Sequence, residues 1–129
     1  AYNNASYHIN EKPLFSIRVG IKSPAMESLL RKYRTTTASI ITAYNPRSIS
    51  VSENSNQVQL SRLKQIVVKN SFIHFNGKAE DPTKIWRDEQ NFLILGISLE
   101  KSIEIGNLFK QNALIWCELG HAPKLILLR

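Results

Sequence analysis

The chain has 129 residues, 43% of them hydrophobic and 21% charged, with a net charge of +7. That length holds one domain (residues 1–129) with a substantial core, and the composition excludes an intrinsically disordered chain. The longest apolar runs, such as FLILGI at 92–97, are strand-length and too short to span a bilayer, so no membrane association is expected.

In chain order, residues 1–12 are polar and lead into LFSIRV (14–19), where Phe15, Ile17 and Val19 alternate as on a half-buried strand. Ser23 and Pro24 then open a helix, one as its cap and the other in its first turn. Met26, Leu29, Leu30 and Tyr33 form its apolar stripe. ASIITA (38–43) reads as a second strand. The next helix covers about 52–68, with Leu60, Leu63, Ile66 and Val67 turned inward. SFIHF (71–75) and NFLILGI (91–97) read as strands joined by a polar connection over 76–90. A third helix runs from Ser98 to about Gln111, with Ile103, Gly106 and Phe109 as its core face. ALIWCEL (113–119) and KLILL (124–128) close the chain as a strand pair. The order β-α-β-α-β-β-α-β-β mixes hairpins with crossovers. It predicts an α+β fold, three helices on a mixed or antiparallel sheet of five to six strands.

Between the second strand and second helix lies TAYNPRSISVSEN, residues 42–54. Pro46 biases Asn45 away from helix, and Asn-Pro initiates turns. Ser50 with Glu53 matches a capping box, and Ser52 is an alternative cap. Arg47 alone has no local task. A strand-to-helix loop exposes free N–H groups that suit an anion, to which Arg47 adds a bidentate clamp and Ser48 a hydroxyl. Glu53 occupies part of that favourable field, and the loop lacks the glycines of a phosphate-binding loop. Structural and functional readings both stand.

Three segments together, TAYNPRS followed by EN, IWRDEQNFLILGI and FKQNALIW, resemble the bacterial family known as domain of unknown function 3293. The resemblance spans about residues 38–116. It matches Thr42, Asn45, Pro46, Ser48, Asn54, Glu89, Gln111 and Asn112 to polar positions of the pattern. It implies a fold family and brings no activity with it.

Elsewhere, Asp88 and Glu89 are adjacent before a buried strand, where neighbours point to opposite faces. They read as exposed charges guarding a sticky strand, with Glu53 and Glu89 kept as candidate acid–base groups. Asn112 reads as a left-handed helix cap, a reading that leaves Gln111 unexplained. Trp86 is a core aromatic or a stacking platform. Cys117 and His121 lack the further ligands zinc needs, so no metal site is expected. Cys117 is the only cysteine, which fits a reducing cytoplasm, and no basic-then-apolar segment opens the sequence to signal secretion.

The charge is uneven. Residues 1–46 carry six Lys/Arg against two acids, residues 47–69 four against one, and the remainder is near neutral. Such an excess attracts phosphate-rich partners or merely solvates a face. The first functional expectation is a binding module for a nucleotide or nucleic acid, using Asn45, Arg47, Ser48, Asn54, Gln111 and Asn112. The second is a small hydrolase or transferase on the same loop, and the third a protein-interaction subunit.

Overall fold

A computed structural model describes residues 4–11 and 14–128. Its strands are β1 (Ser6–Ile9), β2 (Phe15–Ile17), β3 (Thr37–Ile41), β4 (His74–Glu80), β5 (Glu89–Leu95), β6 (Ala113–Glu118) and β7 (Lys124–Leu127). The helices are α1 (Pro24–Lys32), α2 (Glu53–Lys69) and α3 (Leu99–Leu108). All seven strands join one sheet in the order β2-β1-β4-β5-β3-β6-β7. Every ladder is antiparallel. The α+β class, the three helices and the antiparallel alternative agree with the sequence reading, while the sheet has seven strands rather than five or six.

The added strand is β1, in the segment read as a lead-in; residues 1–3 and 12 of that segment lie outside the described residues. Its four residues put Tyr7 and Ile9 into the core and leave Ser6 and His8 on the other face. Two apolar positions are too few for a periodicity signal. β4 departs from the expected span for a similar reason. It begins later than expected and runs on through NGKAE, because its outer residues Asn76, Lys78 and Glu80 face solvent and look like loop. In α3 the core face is Ser102, Ile105, Gly106 and the following Phe109, with Ile103 only half-buried.

Two crossovers interlock at the centre. β3 reaches β4 through α2 by stepping over β5, and β5 reaches β6 through α3 by stepping over β3. Because β3 and β5 are antiparallel and step in opposite directions, both crossovers have the same hand and put both helices on one face. There Leu60, Leu63 and Val67 of α2, with Ile105 and Phe109, cover Phe92, Ile94 and Trp116. Met26, Leu29 and Leu30 of α1 cover Tyr7, Ile40, Leu93 and Ile115 on the opposite face. Burying each such side chain contributes roughly 1.5–3 kcal/mol. β5 lies between both layers, and its last five residues are all buried. Among the described residues no helix is long and apolar enough to cross a membrane.

The arrangement sends four stretches to one end of the sheet. These are the exit of β3, the start of α2, the start of β5 and the link from α3 to β6. Each carries residues singled out from sequence.

Candidate functional site: an interlocked loop beside an open groove

The 42–54 loop turns sharply. Asn45, Arg47 and Ser48 all adopt positive φ, at 44°, 57° and 61°, around a short 3-10 turn at Pro46–Ser48. Asn tolerates that region; Arg and Ser do so at a cost. The surrounding hydrogen bonds hold them there. The Asn45 backbone N–H donates to Asn56 Oδ1 (2.8 Å), and its side-chain Nδ2 donates to Glu89 Oε2 (3.0 Å). Its Oδ1 accepts from the Val51 N–H (3.2 Å) and from Asn56 Nδ2 (3.1 Å). Thr42 Oγ1 donates to the Gln90 carbonyl (2.6 Å) and accepts from the Tyr44 N–H (3.1 Å). The Tyr44 hydroxyl donates to Glu53 Oε1 and accepts from Gln57 Nε2, both at 2.6 Å.

The link from α3 to β6 closes the network. Gln111 is buried, and its Nε2 donates to the carbonyls of Tyr44 (3.0 Å) and Phe109 (3.2 Å). Asn112 Nδ2 donates to Ser48 Oγ (2.8 Å), and the Arg47 N–H to the Lys110 carbonyl (2.7 Å). Gln111 thus has a structural role that sequence did not supply. Asn112 is not the left-handed cap: α3 ends at Leu108, so the positive φ (56°) falls on Lys110 instead. Ser52, not Ser50, caps α2 by accepting from the Ser55 N–H (3.1 Å). Asn54 is exposed and outside the network.

Two carboxylates meet this loop, and their surroundings differ. Burial pushes the Glu89 carboxyl above its usual range, partly countered by the bond from Asn45. Bonds from Tyr44 and Gln57 hold the exposed Glu53 below its usual range. Burial and the Glu53 contact push the Tyr44 hydroxyl up to about 12. Asp88 turns away from Glu89 to pair with Lys78 (3.4 Å), as alternation on an extended segment requires. Arg47 is half-buried, and its Nη1 and Asn112 Oδ1 are buried atoms with no hydrogen-bond partner among the described residues. Asn45, Glu89 and Gln111 therefore come together, but as an interlocked support and not around a shared opening.

The opening is next door. α2 leaves β2, β1 and the outer face of β4 uncovered, and the resulting groove has a volume of about 860 Å³. That is within the usual range for small-molecule sites. Lys64 and Gln57 of α2 form one wall, His8, Asn76 and Lys78 the floor, and Leu60 and Phe92 an apolar end. Gln57 joins groove and loop, since it also holds Tyr44 and Glu53. None of Asn45, Arg47 or Gln111 lines the groove. Sequence reasoning missed it because its residues come from five segments, and β1 was not legible as a strand. Trp86 packs against the core, Cys117 is buried with its thiol pushed up to about 12, and no three metal-ligating side chains gather among the described residues.

Fold and site together define a seven-stranded antiparallel α+β protein with helices on both faces, a pinned polar loop at one end and an open groove beside it. The chain belongs to the family described as "Protein of unknown function (DUF3293)", whose model matches residues 41–114. The match runs from the end of β3 to the start of β6 and contains the whole pinned loop. No curated protein and no solved structure matches it.

Proposed function

We propose that this protein binds a small phosphate-bearing ligand, a nucleotide by class, in the groove between α2 and the outer strands, within a bacterial cytoplasm. One observation carries the reading: Lys64 on the α2 wall and Lys78 on the floor line a groove that also offers amide side chains and an apolar end. Lys64 makes no ion pair among the described residues, so its charge is available. The Lys64 ammonium suits a phosphate, with Lys78, paired to Asp88, adding positive charge from the floor; the amides suit base or sugar edges, and Phe92 with Leu60 suits a planar ring.

A small ligand fits better than a nucleic acid. The basic cluster Arg31, Lys32 and Arg34 lies at the end of α1 and just past it, and α1 covers the other face of the sheet. It adds long-range attraction without touching the groove. The start of α2, with Glu53 and Glu89 close by, is a poor anion site. The loop instead fixes Gln57 and Gln90 at the groove's rim.

The test is a titration against a nucleotide panel, single-stranded DNA and RNA at two salt concentrations, with wild type and Lys64→Ala. A nucleotide should saturate the protein with shallow salt dependence, and Lys64→Ala should weaken it about tenfold, or roughly 1.4 kcal/mol. Absence of saturable nucleotide binding at low salt overturns the reading. So does binding confined to polymers with a steep salt slope.

A further inference from the structure

The floor of the groove carries an arrangement that ligand binding alone does not require. His8 of β1 and Ser16 of β2 are directly paired across the antiparallel ladder, on the face away from α1. Ser16 Oγ lies 2.5 Å from His8 Nδ1, and His8 Nε2 lies 3.2 Å from Glu80 Oε1 on the neighbouring β4. The other oxygen of Glu80 holds the Lys84 ammonium. All three side chains line the groove, and Ser16 is exposed to it.

The contacts accommodate a relay through one neutral tautomer of His8. Bonds from Lys84 and from His8 keep the Glu80 carboxyl below its usual range, so it is an acceptor only. It accepts the N–H of His8 Nε2, and in the neutral imidazole that makes this bond Nδ1 carries the lone pair. The Ser16 hydroxyl then donates into Nδ1. In this tautomer an imidazole acts as base toward a hydroxyl, with a carboxylate orienting it from behind. The ring nitrogens are used in the opposite sense to the serine-protease template, but the roles are the same.

We infer that Ser16 is the nucleophile of an acyl-transfer site in this groove, and that the substrate class is a carboxylic ester. Ser16 Oγ bonds to the ester carbonyl carbon while its proton passes to His8 Nδ1. The carbon–alkoxy bond then breaks, and the departing alcohol takes that proton from His8. Water, deprotonated by the same nitrogen, attacks the acyl carbon and releases the acid, and the proton returns to Ser16. Ester and water give acid and alcohol, with no oxidant, metal or cofactor in the balance. Leu60 and Phe92 offer the acyl group an apolar wall. Lys64 supplies positive charge for the developing oxyanion or for an anionic end of the substrate.

The inference rests on the groove being the ligand site, but not on the ligand carrying phosphate. The wild-type protein, Ser16→Ala and His8→Gln are treated with a fluorophosphonate probe, read by intact mass and peptide mapping. They are also assayed with p-nitrophenyl acetate. Wild type should gain one adduct per chain on Ser16, by attack of Oγ on phosphorus with loss of fluoride. Ser16→Ala should gain none, and His8→Gln should label about 100-fold more slowly, the low end of general-base contributions. Circular dichroism establishes that the variants fold. No labelling of folded wild type, or labelling that survives Ser16→Ala, overturns the inference. Loss of stability in Ser16→Ala with no labelling of wild type assigns the trio to cross-strand support and overturns it too. The nucleotide titration separates the two claims. Nucleotide binding without acylation removes only the ester chemistry, and acylation without nucleotide binding removes only the phosphate reading.

Discussion

Asn45 uses both ends of its amide on the turn it occupies. It donates to Glu89 and accepts from Val51 and Asn56, in a backbone region where asparagine is among the few tolerated residues. Replacing it by alanine removes three hydrogen bonds and adds left-handed strain. The expected loss is about 2–4 kcal/mol, at roughly 1 kcal/mol for each bond and for the strain. Glycine at the same place loses the bonds but accepts the φ, so Asn45→Gly should be the more stable of the two variants. Urea denaturation of both checks the order; an alanine variant as stable as the glycine one would mean that the turn relaxes. Arg47 stands apart from this logic. Its left-handed backbone is fixed by the bond to Lys110, yet Nη1 is buried without a partner among the described residues.

At the scale of elements, the three helices end alike. Arg34, Ser71 and Lys110 adopt positive φ just past α1, α2 and α3, and the next residue's N–H reaches back to the carbonyl of Leu30, Val67 or Gly106. This is the Schellman ending, made here without its usual glycine. Sequence reading was good where such elements are long and one-sided. It found α1 and α2, with Ser23 as a cap, because an apolar stripe and a proline in the first turn are local signals. It failed where the information is not local. Tyr7 and Ile9 mark β1 only once β4 lies beside them, and Gln111 has a visible task only once the β3 exit has come back to it. The site was legible to the same degree: the motif residues do gather, but the groove draws on segments with no common pattern. The capping assignment is open to direct test. Ser52→Ala should cost about 1 kcal/mol and Ser50→Ala, exposed in the preceding loop, close to nothing. Equal losses in thermal or chemical denaturation would return the cap to the Ser50–Glu53 box.

Across the whole molecule, the sheet is thick on one side and thin on the other. β3, β5 and β6 have helices or core on both faces. β2 and β1 have α1 beneath them and only the groove above, and β2, with three residues, is an edge. Stability is therefore uneven by construction, and opening of the β1–β2 hairpin exposes little apolar surface compared with opening of β5. Native-state hydrogen exchange should find β5 and β3 amides exchanging only through global unfolding, and β1–β2 amides exchanging faster through a local opening. This unevenness bears on function because the groove's floor includes the thinly covered strands β1 and β2. His8 and Ser16 keep their positions only while the hairpin is docked on β4. An occupant touching both α2 and β1 stabilises the docked state by its own binding free energy. Added nucleotide should accordingly slow exchange in β1, β2 and the outer half of β4 while leaving β6 and β7 unchanged. Protection spread evenly over all strands would place the ligand elsewhere. Protection confined to residues 42–54 and the start of α2 would return it to the loop, with Arg47 as its contact.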